Sequence, residues 1–189
     1  MADTKPLELD DRDDLLDWAR KAILSHVQRG ALPDVDFPEG ALHAELGAFV
    51  SLHIDGELRG CAGRLEGEGP LYKTVAEMAV AAATEDGRFE ELPAAILRHT
   101  EIEISVLGPI RPSSAEAIEL GTHGLYVVQG PQRSVLLPQV PAQFGWSKEE
   151  FLAQGCLKAG LKRDAWKLKE TRLLIFDAQV FGDADDAIE

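Results

Sequence analysis

The residue with the clearest chemical potential is Cys61, in the segment Leu58-Arg59-Gly60-Cys61-Ala62-Gly63. The thiolate is the nucleophilic form of cysteine, and a nearby arginine lowers a thiol pKa because its charge favours the thiolate. Side chains two residues apart on a strand share a face, so Arg59 is expected beside Cys61. Gly60 and Gly63 leave the backbone unshielded, which favours close approach of a ligand. We therefore predict a reactive thiol at Cys61 with ligand contacts from Arg59, Gly60 and Gly63; the alternative is a buried core cysteine next to a β-bulge.

A second candidate is His123, in the segment Gly121-Thr122-His123-Gly124. We expect it in a loop between a short helix and a strand, where an imidazole exchanges protons near neutral pH. A Cys61–His123 pair would suit nucleophilic catalysis, and the alternative is a turn histidine that satisfies backbone groups. Gln139 follows Pro138, which ends strand pairing, so we predict that its amide faces a ligand-binding cleft. The alternative is that the Gln139 amide hydrogen-bonds to buried backbone groups at the end of the strand.

The remaining motifs point away from metals and cofactors. Cys156 lies on the same helical stripe as Leu152 and Ala159, which predicts a core position. The two cysteines are too far apart in sequence for a zinc site, and the five histidines show no ligand spacing. Neither a Gly-x-Gly-x-x-Gly fingerprint nor a P-loop is present. We therefore predict no metal and no cofactor.

Composition excludes several classes of partner. The chain has 189 residues, 45% of them hydrophobic, which is enough for one core or for two small subdomains. Its net charge of -14 argues against binding to nucleic acid or to an anionic membrane surface. Apolar runs fall short of the ~20 residues of a membrane span, no secretory signal is visible, and two cysteines cannot build a disulfide framework. We therefore expect a cytoplasmic protein.

A β-hairpin is expected to position Cys61. Residues 48–54 are rich in β-forming side chains, Asp55-Gly56 suits a type I′ turn, and residues 57–61 return. Regular pairing across a two-residue turn would place Leu52 opposite Arg59 and Val50 opposite Cys61.

The other elements alternate irregularly between helices and strands. The sequence predicts a helix from Asp10 or Asp11 to Gly30, one after Gly69-Pro70 and one from Ser147 toward Gly160. It also predicts a short helix between Ser113 and Gly121. Strands are expected at 99–106 and at the end of the chain, with a second hairpin around Gly130. Hairpins without regular βαβ units indicate an α+β fold, with antiparallel sheets and flanking helices.

Both ends of the sequence are strongly acidic. Residues 1–17 hold seven acidic and two basic side chains, a net charge of -5. Residues 177–189 hold five acidic side chains and no base, again -5. We interpret 1–9 and 183–189 as acidic solvated tails around a domain at 10–182, the alternative being interaction tails.

An ordered series of sequence blocks resembles the AMMECR domain family, whose prokaryotic members are called the A component of the AmmeMemoRadiSam system. The first blocks are Gly47–Leu52, the Leu58–Gly63 hexapeptide and Asp86-Gly87-Arg88-Phe89. Ala62 stands where the family more usually has isoleucine, and Gly87 where it often has proline. Further blocks follow in the family's order: Glu103–Leu107, Gly121–Leu125, Leu136–Val140, Trp146, Phe151-Leu152 with Cys156, Lys158–Leu161 and Gln179–Gly182.

The resemblance implies a fold and a set of partners. The fold is a single α+β domain at 10–182 made of two subdomains around antiparallel sheets. The partners are a Memo-like protein and a radical SAM enzyme. Our first hypothesis for the function is a non-catalytic component that binds these two proteins through the surface around Cys61. Two alternatives remain: a thiol-dependent enzyme acting on a small molecule or modified residue through Cys61 and His123, and a carrier that captures a reactive product on Cys61.

Overall fold

The structure is a computed structural model that describes residues 6–35 and 37–183. The ends of the two predicted tails, residues 1–5 and 184–189, lie outside the described residues. The chain divides into two compact units. The first comprises the described residues up to Leu107 and from Gln179 onward, and the second comprises Gly108–Ala178.

Helices and antiparallel strands alternate irregularly along the chain, as predicted. The helices are α1 (Leu9–Arg29), α2 (Leu71–Thr84), α3 (Val140–Phe144) and α4 (Lys148–Lys158). The strands are β1 (Ala48–Ile54), β2 (Glu57–Arg64), β3 (Glu101–Leu107), β4 (Arg111–Ser113), β5 (His123–Gln129), β6 (Gln132–Leu136) and β7 (Arg172–Gly182). The predicted α+β fold with antiparallel sheets and flanking helices is confirmed.

In the first unit, α1 and α2 pack together and α2 covers one face of a sheet with the strand order β2-β1-β3. The stripe on α1, which includes Leu15, Ala19 and Ile23, is fully buried. Gly30 ends α1 in the left-handed conformation, with φ 72°, as its position predicts. Most side chains of α2 are buried because the helix is enclosed between α1 and the sheet. This layer supports β2, which lies at one end of the strand order.

The β1–β2 hairpin forms with the predicted turn, but its register differs from the expected one. Asp55 and Gly56 have φ of 52° and 78°, as a type I′ turn requires. A β-bulge follows, so Gly60 pairs with Leu52 and Cys61 with Ser51, rather than Arg59 with Leu52 and Cys61 with Val50. The bulge inserts one extra residue into β2, which shifts every later pair by one position.

The second unit is built on the predicted β5–β6 hairpin, with β7 pairing to β5 and to the short strand β4. α4 packs against β5 and β6. Its core includes Ile118, Leu125, Phe151 and Cys156, all fully buried. The short helix predicted between Ser113 and Gly121 is wrong: Ser113 ends β4, and residues 115–117 and 120–122 form turns. Pairing of Ser113 with Leu173 of β7 replaces the helical start.

The folded region extends past both predicted boundaries, 10 and 182. Leu7 is only 4% exposed, and its backbone N–H donates to Oε1 of Gln179 at 2.8 Å. Asp183 accepts hydrogen bonds from Arg20 and from the backbone of Ile102, both at 2.6 Å. Six of the seven acidic side chains counted in residues 1–17 lie at the N-cap Glu8 or within α1 rather than before the helix. In the part of the chain that the structure describes, no helix combines the length and apolar character of a membrane span.

Candidate functional site

Cys61 lies on the face of β2 that points away from α2. Its neighbour Gly60 faces α2 so closely that a Cβ there would lie 2.1 Å from the Ala82 carbonyl oxygen. Alternation along the strand therefore directs the Cys61 side chain to the other face, where it is half-buried. Across the hairpin, the buried Ser51 hydroxyl donates a hydrogen bond to the Cys61 sulfur at 3.4 Å. The thiol is thus partly accessible and has one defined polar neighbour.

The backbone of Cys61 is held by Asp86. The Cys61 N–H donates to Oδ2 of Asp86 at 2.9 Å. This N–H points away from β1, so Ser51 and Cys61 form a non-hydrogen-bonded pair, in which side chains approach closely. Asp86 follows the C-terminal end of α2 and supplies the acceptor that a further strand would otherwise provide. The carboxylate thereby ties the end of α2 to the outer edge of β2.

Arg88 holds the Asp86 carboxylate through both of its oxygens. Its Nε and Nη2 donate to the two carboxylate oxygens at 2.9 Å and 2.7 Å, and its backbone N–H donates at 3.2 Å. The Arg88 side-chain hydrogen bonds lower the pKa of Asp86 from 3.8 to about 2. The same hydrogen bonds raise the pKa of Arg88, against the opposing effect of burial. Asp86 and Arg88 were not among the predicted site residues, although the Asp86–Phe89 block contained the signal.

Arg59 lies at the bulge, half-buried, with its guanidinium carbon 5.7 Å from the centre of the Phe89 ring. The Arg88 guanidinium lies 5.3 Å from the centre of the same ring. Two arginines therefore flank one aromatic side chain beside the strand that carries Cys61. The hexapeptide and the Asp86–Phe89 block, separated in sequence by α2, meet at this cluster.

The two glycines of the hexapeptide have a packing role. Gly60 allows β2 to approach Ala82 of α2, and Gly63 lies against the Phe49 ring, whose Cδ1 would be 2.1 Å from an added Cβ. A backbone carbonyl at Gly60 and a side chain at Gly63, both from the unit itself, thus occupy the space that a larger residue at either position would need. A ligand contact from Gly60 or Gly63 stays a prediction.

His123 belongs to the second unit, where it begins β5 rather than lying in a loop. It is 9% exposed, and its Nδ1 accepts the backbone N–H of Glu119 at 3.1 Å. Because Nδ1 is an acceptor, the neutral ring carries its proton on Nε2. Nε2 lies 3.5 Å from Oδ1 of Asp177 and 3.3 Å from Nη2 of Arg111. Both ring nitrogens are engaged, which favours the structural interpretation of His123.

Asp177 and Arg111 form a two-point ion pair next to His123. Nη1 and Nη2 of Arg111 donate to the two Asp177 oxygens at 2.7 Å and 3.1 Å. These hydrogen bonds lower the pKa of Asp177 and raise that of Arg111. The pair fixes the carboxylate that the Nε2 proton faces, so it holds the imidazole in one tautomer.

The other predicted residues also lie in the second unit. Gln139 is half-buried directly before α3, and its carbonyl accepts the backbone N–H of Gln143 at 3.3 Å. Cys156 is fully buried on α4, as predicted, and burial raises its thiol pKa. The structure thus groups Arg59 and Cys61 in the first unit, while His123 and Gln139 belong to the second; the Cys61–His123 pair stays a prediction. Within residues 6–35 and 37–183, His, Cys, Asp and Glu side chains form no group of three suited to a metal ion.

Comparison with known proteins points to one family along nearly the whole chain. The AMMECR1 family model matches residues 16–181. A protein of Methanothermobacter thermautotrophicus is 41% identical, covering 93% of this chain and 96% of the relative. A protein of Methanopyrus kandleri is 38% identical, covering 93% of this chain and 89% of the relative. The crystal structure of an uncharacterised protein from Pyrococcus horikoshii has a TM-score of 0.83 and 32% identity, covering 89% of each chain.

Proposed function

Because the chain belongs to the AMMECR1 family, we propose that it works as a component alongside a Memo-like protein and a radical SAM enzyme. We further propose that it engages this system through the surface formed by Arg59, Cys61, Arg88 and Phe89, named here the Cys61 surface. The two free cysteines support a cytoplasmic setting for this role.

The observation that carries the proposal is the meeting of two sequence blocks at one accessible cluster. The Leu58–Gly63 and Asp86–Phe89 blocks join through the hydrogen bond from the Cys61 N–H to Asp86. The Arg88 side chain is 60% exposed, while Asp86 beneath it is 8% exposed. The core of the unit is built by other, apolar side chains. Charged and aromatic groups held at the surface by a buried carboxylate are typical of a recognition site.

A direct test is reconstitution with the Memo-like protein and the radical SAM enzyme encoded by the same organism. Isothermal titration with each purified partner should detect binding. The double variant Arg59→Gln/Phe89→Ala should weaken it about tenfold or more, because it removes a charge and an aromatic anchor. Lys21→Gln, on the exposed face of α1, is the matched charge control. Failure of the unmodified chain to bind either partner, or full affinity of the double variant, would contradict the proposal.

A second candidate function, chemistry at the Cys61 thiol, is favoured by the geometry of the sulfur itself. Cys61 is partly accessible, and its sulfur accepts a hydrogen bond from the Ser51 hydroxyl. In such a step the thiol loses its proton to solvent and the sulfur bonds to an electrophilic carbon of the substrate. The leaving group then departs with its bonding electron pair.

The Cys61→Ser variant separates the two candidate functions, because serine keeps the shape of the surface and removes the thiol. If Cys61 is chemical, binding to the partners is retained and turnover in the reconstituted system is lost. If the surface only docks, turnover is retained as well. Loss of binding in this variant would instead identify the sulfur as part of the contact.

A further inference from the structure

We propose that Arg59 forms an oxyanion-binding subsite next to Cys61, which takes a carboxylate or phosphate group of the ligand that the thiol meets. The inference rests on the proposed role of the Cys61 surface and names the chemical class of its ligand. Three observations support it: the ion-pair partners of the arginines in the first unit, the position of Arg59, and the charge of its neighbours.

Arg59 differs in its contacts from three other arginines of the first unit, Arg20, Arg64 and Arg88. It shares with Arg12 a position over an aromatic ring, which for Arg12 is Phe181 at 5.7 Å, but Arg59 is the one on the strand that carries Cys61. Arg20, Arg64 and Arg88 each contact a carboxylate, at 2.6 Å, 2.9 Å and 2.7 Å. Within residues 6–35 and 37–183, the contact of the Arg59 guanidinium is the Phe89 ring, and no carboxylate lies within 4.0 Å of it. The chain has 33 acidic residues and 19 basic ones, so a carboxylate partner is not scarce. A half-buried guanidinium of this kind retains five N–H donors for an external acceptor.

The position of Arg59 connects this free charge to the thiol. Arg59 and Cys61 are two residues apart on β2, with Arg59 at the bulge, so their Cα atoms lie no more than about 7 Å apart. Both residues contact the Asp86–Phe89 segment. The Arg59 guanidinium lies over the Phe89 ring, and the Cys61 N–H donates a hydrogen bond to Asp86. The planar guanidinium carries a fork of donors that matches the two oxygens of a carboxylate or phosphate group.

The charge balance of the neighbouring pair does not oppose an anion. Both Asp86 oxygens are engaged, one by the Cys61 N–H and both by Arg88. The Asp86–Arg88 pair is therefore close to neutral, and Arg59 supplies a net positive charge beside the thiol. A compact ligand with an oxyanion at one end and an electrophilic carbon at the other fits this arrangement.

Two alkylating agents that differ in charge test the subsite. Iodoacetate and iodoacetamide both react when the thiolate sulfur displaces iodide from carbon, but only iodoacetate carries a carboxylate. We expect Arg59→Gln to reduce the ratio of the iodoacetate rate to the iodoacetamide rate at Cys61 about three- to tenfold, as expected for one charge at this range. Arg59→Lys should keep a large part of the preference, and Lys21→Gln should leave it unchanged. All rates are measured at constant ionic strength because salt screens the attraction.

Competition identifies the oxyanion class and checks that binding is local. Inorganic phosphate or acetate should slow the iodoacetate reaction of the unmodified chain more than that of Arg59→Gln, and the stronger competitor names the class. An unchanged rate ratio in Arg59→Gln, with normal labelling by iodoacetamide, would overturn the subsite alone. If neither agent labels Cys61 faster than the buried Cys156, the Cys61 thiol is not accessible, and the proposed subsite is contradicted as well. Partner binding in the reconstitution tests the proposed function separately.

Discussion

The two units hold the same kind of ion pair next to a residue capable of chemistry, and they use it differently. In the first unit the Asp86–Arg88 pair accepts the backbone N–H of Cys61 and leaves the thiol half-buried. In the second unit the Asp177–Arg111 pair faces the side chain of His123, whose other nitrogen accepts a backbone N–H.

This difference decides which residue is available for reaction. A carboxylate that holds a backbone fixes the position of a side chain without consuming its reactive atom. A carboxylate that faces a ring nitrogen, together with a backbone donor on the other nitrogen, leaves the imidazole no free lone pair. The comparison therefore favours Cys61 as the accessible candidate and favours the structural interpretation of His123.

The largest expected effect separates Cys61 from the other cysteine. Iodoacetamide should label Cys61 in the folded protein at least about 1,000-fold faster than Cys156, because the fully buried thiol reacts only after the structure opens. Mass spectrometry of peptides from timed samples measures both rates. In urea the two rates should converge. Similar slow rates in the folded state would show that Cys61 is also closed to reagents, and would remove the contrast between the units.

The next prediction compares the loss of stability when alanine replaces the glycine next to Cys61, Gly60, and the glycine next to His123, Gly124. Gly60→Ala should lower the free energy of unfolding by about 3 kcal/mol or more, because the new Cβ would meet backbone, the Ala82 carbonyl oxygen at 2.1 Å. Gly124→Ala should cost about 1–3 kcal/mol, because it displaces a side chain, the Phe176 ring at 2.2 Å.

Urea denaturation of both glycine variants measures the difference. The matched control is Gly87→Ala, next to Asp86, where no atom lies within 4 Å of an added Cβ. It should change stability by less than about 0.5 kcal/mol. A Gly60→Ala variant as stable as this control would mean that β2 and α2 do not pack as closely as described.

A smaller effect follows from the pKa of Asp86. Its folded value, about 2, is below the ordinary 3.8, so the ionised carboxylate stabilises the folded state above about pH 4. That contribution is lost as the pH falls from about 4 toward 2. Asp86→Asn should lower the free energy of unfolding by about 1 kcal/mol at pH 7, a figure reduced for screening because Arg88 is exposed.

The pH dependence identifies the cause of the loss. Between pH 4 and pH 2 the unmodified chain should lose stability more steeply than Asp86→Asn, which has no carboxylate to protonate. Asp177→Asn should show the same direction of change, because Arg111 lowers the pKa of Asp177. Parallel curves for Asp86→Asn and the unmodified chain would contradict the role assigned to the Asp86–Arg88 pair.

The smallest expected effect is on the reactivity of Cys61 when His123 is replaced. His123→Gln should leave the alkylation rate of Cys61 unchanged between pH 6 and pH 9, since both ring nitrogens are already engaged. It should cost about 1 kcal/mol of stability through the lost polar contacts. A slower reaction at neutral pH in this variant would instead support the Cys61–His123 pair and undo the contrast between the units.

Much of the local structure follows from sequence patterns, because local patterns decide it. The apolar stripe and Gly30 predicted the extent of α1 to within two residues, and Asp55-Gly56 predicted the hairpin turn. The predicted helix between Ser113 and Gly121 does not form, because pairing of Ser113 with β7 outweighs the local capping pattern. Pairing with a strand about 60 residues away cannot be predicted from the sequence of residues 113–121 alone.

The candidate site shows the same division. The sequence identified Cys61 and Arg59 as candidates, and it contained the Asp86–Phe89 block. It did not show that Asp86 accepts the Cys61 N–H or that Arg88 binds both oxygens of that carboxylate. A helix separates the two segments along the chain, and only the packing of α2 on β2 brings them together.

By itself, the sequence determined the α+β class, the two hairpins and the type I′ turn, since these depend on residues within a few positions of one another. The tertiary structure decided on which face of β2 the thiol lies, because the register shift depends on the bulge beside α2. It also brought the Asp86–Arg88 ion pair to the backbone of Cys61. The physical reason is that strand register and long-range ion pairs are set by close packing between elements, where one small residue such as Gly60 determines the outcome.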